Sequence, residues 1–173
     1  GTLALTKVVA NATLELTGAA TNTSVALADA TGTADVLNVV TKVGATDIGF
    51  GNLTAEGVET INITATDTDT TSINTGSLTI NDAALKNLVV TGNGAVSLTL
   101  GSNVKSLVSL DGTAMTGKLT ATTNGVVAQT IKGGAGADEL RSLSTGTVAD
   151  RLEGAGCAHA AHAHGEAQAE EAV

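Results

Sequence analysis

Residues 78–100 read Leu78-Thr79-Ile80-Asn81-Asp82-Ala83-Ala84-Leu85-Lys86-Asn87-Leu88-Val89-Val90-Thr91-Gly92-Asn93-Gly94-Ala95-Val96-Ser97-Leu98-Thr99-Leu100. Three short units, Leu78-Thr79-Ile80, Leu88-Val89-Val90 and Leu98-Thr99-Leu100, start 10 residues apart. In an extended chain each unit puts two apolar side chains on one face and its middle residue on the other. Thr91-Gly92-Asn93-Gly94 separates two of them with residues that tolerate positive φ and turn the chain.

The same unit recurs in both directions. Leu3, Leu14, Val25 and Val36 open units 11 residues apart, and Ile48 and Ile61 follow at 12 and 13. Downstream, Leu107, Leu119, Ile131, Leu140 and Leu152 continue the series at steps of 9 to 12. Gly44-Ala45-Thr46-Asp47, Asp111-Gly112 and Thr123-Asn124-Gly125 supply further turns. The longest step runs from Ile61 to Leu78 and holds Thr66-Asp67-Thr68-Asp69-Thr70-Thr71-Ser72, which reads as an exposed loop.

This pattern predicts an all-β chain of short strands. Two architectures repeat turns at such spacing. One is a β-sandwich; the other is a parallel β-solenoid with two strands and two turns per coil. The brevity of the strands and the evenness of the period favour the solenoid, at roughly 20 residues per coil. Composition agrees. Phe50 is the one aromatic residue, Pro is absent and Gly occurs 21 times. A core of Leu, Val, Ile and Ala without rings suits a thin, repetitive interior. The β-branched Thr and Val favour strands.

With 17 acidic and 8 basic residues the net charge is −9. That argues against nucleic acid and against an anionic membrane surface as partners, since both call for clustered Lys and Arg. No apolar run reaches the ~20 residues of a membrane-spanning helix. The single cysteine, Cys157, allows no internal disulfide. Before it there is neither His nor Cys, no G-x-S-x-G elbow and no aromatic platform for a sugar, so a catalytic role is not expected.

Residues 133–141 read Gly133-Gly134-Ala135-Gly136-Ala137-Asp138-Glu139-Leu140-Arg141 and match G-G-x-G-x-D-x-U-x, the nonapeptide of calcium-binding β-rolls. Glycines there make a tight turn whose carbonyls can face an ion. Asp138 offers a hard carboxylate oxygen of the kind calcium prefers, and Leu140 plugs the interior. A damaged copy follows, keeping Gly146, Asp150 and Leu152, and Gly154-Ala155-Gly156 is a third fragment. The expected metal residues are Gly133, Gly134, Gly136, Asp138 and Asp150, with Ca2+ between coils. If the turns of Asp138 and Asp150 stack, one ion can face both carboxylates. A glycine-rich solenoid turn without an ion is the other reading.

Val58-Glu59-Thr60-Ile61-Asn62-Ile63, Leu85-Lys86-Asn87-Leu88-Val89-Val90-Thr91-Gly92 and Thr130-Ile131-Lys132-Gly133-Gly134-Ala135-Gly136-Ala137-Asp138 occur in this order. Over roughly residues 35–141 the chain resembles the surface-layer-like region of bacterial RTX proteins, of the Caulobacter S-layer type, and related exoproteins and adhesins. The resemblance implies type I secretion, an extracellular or cell-surface location, calcium-dependent folding or assembly, and a lattice or adhesive role. Its calcium positions fall on Gly133, Gly134, Gly136 and Asp138, and less closely on Gly146 and Asp150. Two departures stand out: there is one complete nonapeptide rather than several, and the tail after Gly156 is unlike the family.

Three regions follow: a Thr- and Gly-rich β-solenoid at 1–132, degenerate nonapeptides at 133–156, and an Ala-, His- and Glu-rich low-complexity tail at 157–173, expected to be disordered. Cys157, His159, His162 and His164 are metal-binding residue types there, without an evident scaffold. The expected function is a structural, self-assembling segment stabilised by calcium, an S-layer-like or fibre component that forms homo-polymers and meets cell-surface polysaccharide. Alternatives are an RTX-type adhesin module, or an ice- or surface-binding solenoid. For the last, the pairs Thr21/Thr23, Thr31/Thr33 and the Thr64–Thr70 run do not share one register along the coils. Asn11, Asn22, Asn52 and Asn62 each begin an N-x-[ST] sequon, of consequence only where asparagine is glycosylated.

Overall fold

The computed structural model describes residues 1–144 and 150–154, together with two strands at 158–161 and 168–170. The chain is an all-β parallel solenoid, with no helix among the described residues. One sheet holds β1 (Thr2–Val8), β3 (Asn22–Leu27), β5 (Ile48–Glu56), β7 (Thr75–Asn81), β9 (Ala95–Leu100), β11 (Leu119–Thr123), β13 (Glu139–Ser142) and β15 (Ala158–Ala161), in that order. The other holds β2 (Thr13–Leu16), β4 (Val36–Val43), β6 (Thr60–Asp67), β8 (Asn87–Gly92), β10 (Ser109–Met115), β12 (Thr130–Lys132), β14 (Arg151–Glu153) and β16 (Gln168–Glu170). The chain alternates between the sheets, so each coil adds one rung to both. The sandwich alternative is thereby excluded, because every strand pair is parallel.

Register follows the apolar units. Leu37, Ile61, Leu88, Leu110, Ile131 and Leu152 lie one above another in the even-numbered sheet. They step by 24, 27, 22, 21 and 21 residues, and each is at most 2% exposed. Leu78, Leu98, Ala121 and Leu140 form a matching column across the interior. A one-residue slip would turn every one of these side chains to solvent, so the pattern fixes the register. Coil length varies while rung spacing stays near ~4.8 Å; the surplus residues leave as loops, among them 28–35, 68–74 and 101–108.

Phe50 is wholly buried. Room for its ring comes from Gly76 on the next rung, where a Cβ would lie 2.7 Å from Phe50 Cε2. The outer faces carry stacked polar side chains: Asn52 Nδ2 donates to Asn22 Oδ1 and Asn62 Nδ2 to Asn38 Oδ1, each at 2.9 Å. Three of the four sequon asparagines, Asn22, Asn52 and Asn62, thus belong to amide ladders. In the nonapeptide region β13 and β14 simply extend the two sheets from β11 and β12, and β15 and β16 pair in turn with β13 and β14. Cys157, His162 and His164 lie outside the described residues.

Candidate functional site

Parallel strands leave the backbone at each turn with N–H groups that no ladder partner receives, and a buried orphan donor is costly. This chain answers with carboxylates that reach from one coil to its neighbour. Asp35 N–H donates to Glu59 Oε2 at 3.0 Å, Val58 N–H to Asp82 Oδ2 at 3.1 Å and Thr75 N–H to Asp47 Oδ1 at 2.7 Å. Leu119 N–H donates to Asp138 Oδ1 at 2.8 Å, and Gln129 N–H to Asp150 Oδ1 at 3.0 Å. Partners are 19 to 28 residues apart, one coil away.

A second use of acid lies within turns. Asp29, Asp69 and Asp111 each accept from the N–H and the hydroxyl of the Thr two residues on. Those bonds hold the carboxyls of Asp29 and Asp111 below the ordinary range; that of Asp69, lowered first by the Ser72 hydroxyl and then by Thr71, falls to about 2. Asp82 behaves oppositely. Its carboxyl is pushed up to about 6, chiefly by burial, against the pull of the Ala84, Val58 and Gly57 N–H groups and with the help of the Glu59 charge.

Asp138 is 2% exposed. Its second oxygen accepts Gly134 N–H at 2.6 Å, so the carboxylate ties the glycine turn both to itself and to the coil below. The glycines are needed for close stacking: a Cβ on Gly134 would lie 2.2 Å from Met115 O, and one on Gly136 would lie 2.6 Å from Gly117 O. The turn is thus the upper step of a staircase formed with Thr116-Gly117-Lys118 and Gly92-Asn93-Gly94, and Ala135 N–H donates to Met115 O at 2.9 Å. A cleft of about 630 Å³ runs along this edge beneath loop 68–74, lined by Asp67, Asp69, Ile73, Asn93, Lys118 and Gly136.

Asp150 does not join Asp138. It caps the other end of β13, where its Oδ2 accepts from the Ser142 hydroxyl. Four residues of strand separate the two ends, ~13 Å. The turns of Asp138 and Asp150 therefore do not stack, and one ion cannot face both carboxylates. Gly146 lies outside the described residues. Among the described residues no group of three or more His, Cys, Asp or Glu converges as a metal set. At the Asp138 turn the donor types, a carboxylate beside stacked turns rich in carbonyls, are those a hard cation takes.

From the sequence the acids read as solvated surface or calcium ligands; the inter-coil bonds appear only in the fold. A signal was present. Asp35, Asp47, Glu59, Asp138 and Asp150 each immediately precede a strand, and Asp29, Asp69 and Asp111 stand two before a Thr. No helix among the described residues is long and apolar enough to cross a membrane. Compared with known protein families and with curated proteins, the chain matches none.

Proposed function

We propose that the chain is a non-catalytic structural segment of an extracellular, cell-surface or secreted protein, which self-assembles as S-layer-like or fibre material and is stabilised by calcium at the Asp138 turn. The observation that carries this reading is the architecture itself. Two continuous parallel sheets enclose an aliphatic interior, and Asp47, Glu59, Asp82, Asp138 and Asp150 tie neighbouring coils together. Sheets of this kind pair readily with another chain wherever a strand edge is open. The surface-layer resemblance of residues 35–141, type I secretion and contact with polysaccharide belong to the same proposal. Sedimentation velocity over a concentration series, with calcium and with chelator, tests it. Growth to large species with concentration supports it, and a strict monomer throughout rules it out.

A further inference from the structure

The two outer faces of the solenoid differ in charge. On the even-numbered sheet Glu15, Lys42, Asp111, Lys132, Arg151 and Glu153 alternate with polar residues, and two ion pairs, Lys42–Glu15 at 2.8 Å and Lys132–Glu153 at 3.5 Å, tie neighbouring rungs. On the odd-numbered sheet, from β3 to β11, the outward positions are Asn, Ser, Thr, Ala and Gly, with Glu56 alone at a strand end. The even-numbered face balances three basic against three acidic residues, whereas this one, Glu56 apart, carries no charge from β3 to β11, so two copies can meet here without desolvating charged groups.

The face is also ordered. Ser77, Ser97 and Thr120 share one register, and Thr79, Thr99 and Thr122 share the next. The in-register hydroxyl pairs are thus Ser77/Thr79, Ser97/Thr99 and Thr120/Thr122, not the Thr-x-Thr pairs that the sequence displays most openly. Hydroxyls stand ~4.8 Å apart along the stack and ~6.6 Å apart across it. Among the described residues none of the six side chains makes a hydrogen bond within the chain, whereas Thr64 and Thr91 on the other face bond each other at 3.3 Å. Short side chains keep the surface low, apart from a hollow of about 220 Å³ lined by Gly49, Gly51, Ser77, Thr79, Ser97 and Thr99, so an identical sheet can approach closely and use the free hydroxyls.

We infer that this hydroxyl-ranked face of the odd-numbered sheet is the lateral contact surface for a second copy of the chain. The inference rests on the self-assembly proposed above and names the surface that performs it. Five strands and three outward rows make a patch of roughly 24 by 15 Å, on the order of 400 Å² per copy. A pair buries about 800 Å², below the ~1,200 Å² of standard stable complexes. One contact is therefore weak, and assembly is cooperative, with repeated contacts adding up.

The test compares the full chain with Thr99→Lys and Ser97→Glu on this face and Asn87→Lys on the opposite one, where Asn87 is exposed between Thr60 and Ser109. Circular dichroism confirms that each variant folds, and sedimentation velocity reads assembly. A charge desolvated at a contact lowers association by more than about tenfold. Thr99→Lys brings the net charge closer to zero, so general repulsion cannot explain its loss of assembly. The expected result is that both odd-face variants stay small while Asn87→Lys assembles as wild type does. Wild-type assembly that both odd-face variants retain, or that Asn87→Lys alone abolishes, overturns this inference and leaves self-assembly standing. A wild type that is monomeric at every concentration overturns both.

Discussion

Replacing Asp138 by Ala separates a carboxylate that ties coils from one that serves only a metal. The substitution removes the acceptor of two backbone donors, Leu119 N–H and Gly134 N–H. Leu119 is fully buried, so water does not readily replace the lost partner, while Gly134 lies nearer the surface. A buried donor left unpaired costs about 1–3 kcal/mol, so the pair together costs about 2–4 kcal/mol once the outer group rehydrates. For a chain of this size that lowers the melting temperature by about 5–15 °C. Asp138→Asn keeps one carbonyl acceptor but turns an NH2 toward the other donor, and is expected to lose about half as much. The assay is thermal melting followed by circular dichroism, first with chelator and then with millimolar calcium. In chelator the order wild type, Asn, Ala is expected. Added calcium then raises the wild type by mass action and leaves Ala unmoved. An Ala variant that melts with wild type in chelator refutes the coil-tying role. A wild type indifferent to calcium removes the ion from the account and leaves the carboxylate as a structural group.

Gly134→Ala forces a Cβ to within 2.2 Å of Met115 O and should destabilise at least as much as Asp138→Ala, whereas Gly18→Ala, with nothing within 4 Å, should leave the melting temperature nearly unchanged. Leu110→Ala empties a fully buried site between Leu88 and Ile131, whose rungs cannot collapse toward each other, and should cost about 3–5 kcal/mol in denaturant unfolding. Asp82 favours its neutral form in the fold, so its contribution is most favourable below its unfolded pKa of 3.8 and is lost as pH rises through about 6. That loss is at most about 3 kcal/mol, and melting curves between pH 4 and 7 should flatten in Asp82→Asn relative to wild type.

Most of the fold was legible because its determinants are local and periodic. Leu78-Thr79-Ile80 and its thirteen counterparts from Leu3 to Leu152 all fall on or at the edge of strands, and the long Ile61–Leu78 step holds a loop at 68–74, although Thr66 and Asp67, expected in that loop, end β6. What the sequence hides is pairing across variable coils. Between Thr23 and Leu53 the rung-to-rung step is 30 residues, but between Leu78 and Leu98 it is 20, so equal spacing in sequence is not equal height in the stack. For that reason the shared register of Ser77 with Ser97 and Thr120 could not be read beforehand, nor could the placing of Asp138 and Asp150 at opposite ends of β13. The glycine and aspartate of the nonapeptide were recognised as a turn with its acid. That the acid spends its oxygens on Leu119 and Gly134 depends on which coil lies beneath, and only the fold supplies that.

Self-assembly is tested most directly by electron microscopy of the purified chain with calcium and with chelator. Ordered sheets, fibres or arrays that calcium promotes are expected, with a lateral repeat set by contact between odd-numbered sheets. Dispersed single particles under both conditions, at concentrations where the chain remains folded, would contradict it.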